Sequence, residues 1–553
     1  MNDVIHNPLL AGFNPDPSIC QAGDDYYLAT STFEWYPGVQ IHHSRDLANW
    51  ELVTRPLSRA SQLDMRGNPD SCGIWAPCLS YADGLFWLVY TDMKRYEGNF
   101  KDGHNYLVTA PHIEGPWSDP VYLNSSGFDP SLFHDSDGRK WLINLQWDYR
   151  QREGRDRFGG IVLQEYDLEL RRLVGAITTI FTGTELKLTE GPHLYRRNGW
   201  YYLLVAEGGT GYQHAVTMAR SKTLTGPYQV HPNNPLLTSQ HDPENPLQRA
   251  GHADLVDSPE GHSSEGHGSE GNSSEGNSYL VHLCGRPLPG TRLSPLGRET
   301  AIQRVEWGAD GWLRLANGGN TPALKVAVSG VTQKPLAQED HYDFETDTLP
   351  AAFQWLRTPY PERLFSLTER PGYLRLFGRE SVGSWFEQAL VARRQDSIYC
   401  SAETTLEFEP EDIQQFAGLI AYYNRFKFHY LAMTLNDTGD KVLSVISCLD
   451  DWPNGNLEIA DASVRLAPGT TIRLGLDIHA RELRFRYAQG GEEWQPIGPA
   501  LDAGLLSDEG SGRAHGYFTG NFLGMAAHDI SGRGTPADFQ AFCYRRAPLS
   551  ETR

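Results

Sequence analysis

Short apolar runs alternate with polar turns along this chain, and one such unit recurs through its first half. DPSICQAGDDYYLAT, from Asp16, joins a short apolar segment, a Gly-containing polar turn and an aromatic strand, the pattern of a β-hairpin. Its later forms are APCLSYADGLFWLVY from Ala76, DPSLFHDSDGRKWLINL from Asp129, GPHLYRRNGWYYLLV from Gly191, and HADLVDSPEG with NSYLVHL from His252. The interval of roughly 50 to 60 residues is that of propeller blades. Further runs such as VQIHHS, HNYLVTA, GGIVLQEYD and HAVTMARS, each followed by a turn and a polar strand, bring the unit to about four strands. Extended helical periodicity is scarce. The pattern therefore predicts an all-β chain with an N-terminal five-bladed β-propeller over residues 1–325.

After ALKVAVSG the repeat stops, and a linker around VTQKPLAQED leads into strands of another rhythm. In ELRFRYA, Leu483, Phe485 and Tyr487 share one face while Arg484 and Arg486 share the other, as a strand with one wet face requires. Similar runs at YLRLFG, AETTLEFE, FHYLAMTL and TIRLGLDI predict a C-terminal β-sandwich over residues 326–553. The segment from Ser258 to Ser278, rich in Gly, Ser, Glu and His, falls where the fifth hairpin needs its turn. Such a composition cannot supply a packed core and predicts a disordered loop insertion.

A propeller places the start of each innermost strand around its axis, so equivalent positions of the five repeats converge there. Those positions are Asp16, Ala76 next to Trp75, Asp129, Gly191 next to Glu190, and His252. Asp16 sits between Pro15 and Pro17, which restrict the backbone on both sides and aim the carboxylate. Three acids and a histidine, with Phe33, Trp75 and Trp147 as aromatic neighbours, admit two chemistries. One is a divalent metal site. The other is glycoside hydrolysis, in which one carboxylate activates water, a second acid protonates the leaving oxygen and rings stack on sugar faces. The lack of a dense acidic ligand run favours hydrolysis.

Composition narrows the partners. A net charge of -21 argues against nucleic acid, whose binding needs clustered Lys and Arg. Aromatic residues at 11% suit β-structure and offer flat faces to a ligand. Seven cysteines without CxxC spacing indicate neither a disulfide framework nor a zinc site. The N-terminus has no basic stretch followed by an apolar one, and no run approaches the roughly 18 apolar residues of a membrane span. A soluble cytoplasmic protein is expected, with no membrane partner.

GFNPDPSI, SGFDPSLFHD, TEGPHLY, GHADLV, LGRETAIQ and the C-terminal FTGNFLGM resemble, in order and across the whole chain, the β-xylosidase branch of glycoside hydrolase family 43. The resemblance implies a sandwich of the jelly-roll, concanavalin-like form that contributes to the active-site pocket. It implies an exo-acting, inverting xylan 1,4-β-xylosidase that releases xylose from non-reducing ends of xylooligosaccharides, with α-L-arabinofuranosidase side activity open. Asp16 matches the general base, Glu190 the general acid, and Asp129 the acid that orients Glu190 and raises its pKa. Arg298 matches an arginine that hydrogen-bonds the sugar, and Phe518 lies in a loop that reaches the active site in relatives. His252 matches a central histidine. Some relatives hold calcium there and others do not, so no metal ligand is assigned, no cofactor is required, and calcium near His252 stays open. A homo-oligomer is expected. The rival readings are a non-catalytic sugar-binding propeller, which would not need all three acids, and a metal-dependent propeller enzyme acting on another glycoside.

Overall fold

The computed structural model describes residues 4–553 except 151, 155, 258–276, 329, 452–453, 468, 511–516 and 547–553. The expected insertion therefore lies almost wholly outside the described residues. The strands that flank it, Gln248–Asp257 and Ser278–Gly285, pair antiparallel and bring Asp257 opposite Ser278.

Five antiparallel sheets form the blades of a propeller. Their innermost strands are Ser18–Ala22, Gly73–Ala82, Ser131–His134, Glu190–Arg197 and Gln248–Asp257. Each of the five repeat positions adopts the left-handed backbone region: Asp16 at φ 54°, Ala76 at 38°, Asp129 at 55°, Gly191 at 55° and His252 at 44°. A non-glycine residue there is strained, and such strain persists where the surroundings dictate the conformation. A proline follows in the first four blades and fixes the chain as it enters the strand. Because the second strand runs antiparallel to the first, the loop between second and third strands returns to the same face. Two sets of residues, strand starts and these loops, therefore surround one end of the axis.

The C-terminal part is a sandwich of an eight-stranded and a nine-stranded sheet. In Glu482–Gln489, Leu483 and Phe485 are buried while Arg484 is exposed, as the alternation predicts. The nine-stranded sheet is completed by Trp35–Tyr36, from the loop between second and third strands of blade I, which pairs with Phe353–Leu356. Trp35 stacks on Phe522 of the sandwich at 3.7 Å between centroids. One apolar core runs from Ile41, Ile74 and Leu88 of the propeller into Leu419, Leu474 and Phe542 of the sandwich. At the seam, Gly297 of blade V has φ 73°, and a Cβ there would stand 2.4 Å from the Thr519 carbonyl oxygen. Only glycine lets the two backbones approach so closely.

Candidate active site

The strand starts deliver the acids and the loops deliver the groups that hold them. Asp16 spends both oxygens: Oδ1 accepts from Arg298 Nη1 at 2.9 Å and Oδ2 from the Ser31 hydroxyl at 2.7 Å. The Ser31 oxygen also accepts the Ala76 N–H at 2.8 Å, tying blade I to blade II. His252 Nδ1 is 3.9 Å from Asp16 Oδ1. Burial pulls the His252 pKa down to about 4 in spite of the Asp16 charge, so the imidazole is neutral near pH 7. Its ring lies against Gly191, where a Cβ would come within 3.0 Å.

Asp129 Oδ2 accepts the Gly191 N–H at 3.0 Å, which fixes the peptide that follows Glu190. Burial, and then the charge of Asp16, pushes the Asp129 carboxyl up to about 7. Glu190 is 7% exposed. Burial pushes its carboxyl well above the usual range, and Asp129 and Asp16 push it further. Its Oε1 is buried with no hydrogen-bond partner among the described residues. A buried polar atom left so costs free energy unless a ligand uses it.

Arg298 links the two parts of the molecule. Besides Asp16, it donates through Nε and Nη2 to the Phe518 carbonyl, at 3.1 and 3.0 Å. Its guanidinium lies over the rings of Phe33, at 5.1 Å, and Phe518, at 5.4 Å. Phe518 has φ 106° and is held from its other side, its N–H donating to Asp508 Oδ1 at 2.9 Å. Asp508 in turn accepts from Arg249 Nη2 at 2.6 Å and from the Tyr423 hydroxyl. Phe518, Phe33, Trp75 and Tyr96 form one ring cluster, with Phe518 5.7 Å from both Trp75 and Tyr96.

The structure thus gathers Asp16, Asp129, Glu190, His252, Arg298, Phe33, Trp75 and Phe518. Trp147 stands one ring farther out, 6.1 Å from Phe128, which is itself 5.7 Å from Trp75. Sequence reasoning missed Ser31, Tyr96, Arg249 and Asp508. None occupies a repeat position, and Arg249 and Asp508 lie 259 residues apart. Among the described residues, the grouping of three potential metal donors is Glu339, His341 and Cys543, far along the chain in the sandwich rather than at His252.

The sequence matches Glycosyl hydrolases family 43 over residues 5–264 and 260–313. The chain belongs to this family. Residues 341–545 match the β-xylosidase C-terminal concanavalin A-like domain. The chain is 57% identical to the xylosidase/arabinosidase 43B of Humicola insolens over 98% of its own length and 97% of the relative's. It is 48% identical to the β-xylosidase of Bacillus subtilis, covering 98% of this chain and 99% of that one. The crystal structure of xylan β-1,4-xylosidase from Bacillus halodurans superposes with a TM-score of 0.91 at 51% identity, over 98% of this chain and 100% of that one.

Proposed function

We propose that this family 43 enzyme is an exo-acting, inverting β-xylosidase that releases D-xylose from the non-reducing ends of β-1,4-xylooligosaccharides. The observation that carries the reading is the contrast between two buried acids: Asp16, ion-paired with Arg298, and Glu190, held toward its protonated form with a free oxygen. In this reading Asp16 takes a proton from the water that attacks the anomeric carbon. Glu190 gives its proton to the glycosidic oxygen as that bond breaks. Asp129 fixes the Glu190–Gly191 peptide and raises the Glu190 pKa, and Arg298 orders both Asp16 and the Phe518 loop. Phe518, arriving from the sandwich, supports attack at chain ends because its ring stands against Phe33 and Trp75 beside the arginine that holds Asp16. Proton NMR during early turnover of xylobiose tests the reading: α-xylose appears first, whereas initial β-xylose removes Asp16 from its role. The reading extends to α-L-arabinofuranosidase side activity, supported by the name of the Humicola relative, a xylosidase/arabinosidase.

The site works without a metal in this reading. Calcium takes six to eight oxygen ligands, whereas His252 offers nitrogen and the oxygens of Asp16 already serve Arg298 and Ser31. Activity on xylobiose is expected to survive dialysis against EDTA. We also propose a cytoplasmic location, supported by seven buried cysteines with no disulfide among them. A homo-oligomer completes the proposal, supported by the exposed Leu449, Leu457 and Ile459 on the sandwich and checked by light scattering.

A further inference from the structure

Glu190 is followed by Gly191, whose N–H is held by Asp129. Before Glu190 a second carboxylate holds the chain, that of Glu207, which the proposed reaction does not use. Glu207 ends Trp200–Glu207, the second strand of blade IV, one residue beyond Ala206, which faces Glu190 across the strand pair. It is 0% exposed. Its Oε1 accepts the Thr184 N–H at 2.7 Å and the Thr189 hydroxyl at 2.8 Å, and its Oε2 accepts the hydroxyls of Thr184 at 2.6 Å and Thr217 at 2.8 Å. None of these donors carries a charge. A carboxylate buried without a cation is costly unless its lone pairs are filled, and these donors fill them.

Three of the four bonds go to the segment that leads into Glu190. Thr184 and Thr189 bracket it, and within it Lys187 and Leu188 both take left-handed backbone, at φ 61° and 53°. Two consecutive non-glycine residues in that region are strained, and the conformation persists where the surroundings dictate it. Glu207 ties down both ends of the stretch. Gly183, at φ 90°, makes room for the tie, because a Cβ there would stand 2.0 Å from the Thr189 hydroxyl oxygen. Since Thr189 directly precedes Glu190, the backbone that carries the acid is held by Glu207 on one side and by Asp129 on the other.

We propose that Glu207 is a positioning residue for Glu190: through Thr189 it fixes the direction from which the proton reaches the leaving oxygen. This inference rests on the reading of Glu190 as the acid. A misplaced acid leaves a signature that a loss of folded enzyme does not. It slows substrates whose leaving group needs a proton and spares those whose leaving group departs as a stable phenolate, whereas lost enzyme slows both alike.

The test compares Thr189→Val, which removes the hydroxyl and keeps the branched shape, with Thr189→Ser, which keeps the hydroxyl. The readout is the ratio of kcat/KM for xylobiose over that for dinitrophenyl β-xyloside, with Tm followed alongside. The ratio is expected to fall by about tenfold in Thr189→Val, the scale of a modest misplacement of a general acid, and to return toward the wild-type value in Thr189→Ser. Glu207→Gln, which weakens the bonds by removing the charge, should lower the ratio in the same direction, and Thr189→Val should then cost less in that background than in the wild type. Should Glu207→Gln fail to fold, the two Thr189 variants decide alone. An unaltered ratio in Thr189→Val, equal losses on both substrates, or independent losses in the double variant would overturn the positioning role. Glu190→Gln, measured in parallel, separates this failure from the other: if it too leaves the ratio unaltered, the reading of Glu190 as the acid falls, and the role of Glu207 with it.

Discussion

Replacing Asp129 with Asn should make the enzyme less active and, above neutral pH, more stable. The Asp129 carboxyl has a pKa of about 7 in the fold against an ordinary 3.8, burial being the larger cause and the Asp16 charge the next. The folded state thus holds this proton more tightly than the unfolded state does. Below pH 3.8 both states are protonated and the group is neutral in its effect. Between there and pH 7 the folded state loses stability as pH rises, and above pH 7 the loss is complete. A displacement of about three units corresponds to roughly 4 kcal/mol at 1.4 kcal/mol per unit. Asn carries no charge, and its carbonyl can still accept the Gly191 N–H that Asp129 accepts at 3.0 Å. At roughly 1–2 °C per kcal/mol for a chain of this size, the gain in Tm should be several degrees at pH 8 and vanish near pH 4. Differential scanning calorimetry of both proteins at one scan rate, from pH 4 to 8.5, measures it. A Tm difference that stays flat across this range would refute the claim that a buried charge at Asp129 is held against its preference. A second readout comes from activity: without the Asp129 charge the Glu190 pKa falls, so the basic limb of kcat/KM moves to lower pH.

Glu190→Gln should nearly abolish hydrolysis of xylobiose and spare an aryl xyloside whose leaving group needs little protonation, and equal losses on both would count against Glu190 as the acid. Asp508→Ala should lower kcat/KM by about tenfold by freeing the Phe518 backbone, while Asp508→Asn, which keeps an acceptor for that N–H, recovers part of the loss; identical behaviour of the two would make Asp508 a merely structural residue. Phe518→Ala should weaken competitive inhibition by xylose by roughly 1–3 kcal/mol through loss of an apolar contact, read as a rise in the inhibition constant with the circular dichroism spectrum unchanged.

The architecture was legible because the hairpin repeats. Once Asp16, Ala76, Asp129, Gly191 and His252 are aligned, a propeller brings them together, and their shared left-handed backbone shows that the repeat extends to local conformation. Arg298 and Phe33 came from loops rather than repeat positions, and the family resemblance or aromatic character singled them out. Ser31 and Asp508 gave no such signal. A serine at a strand end and an aspartate in a loop look alike whether they serve the site or only solvent, and the contacts that distinguish them cross many residues. The role of Trp35–Tyr36 was hidden for another reason: an aromatic pair between blade strands reads as blade packing, whereas it belongs to the edge of the other sheet.

That borrowed strand bears on how the protein can be divided. Cutting after the last blade would remove the partner of Trp35–Tyr36, the Phe522 ring on which Trp35 rests, and the carbonyl that takes two of the three Arg298 hydrogen bonds to the protein described above. The shortened chain would keep every acid of the site yet expose an apolar flank and leave the arginine beside Asp16 without its second anchor. The catalytic half is therefore separable in sequence but not in function, and any design that transplants this propeller must carry the sandwich with it.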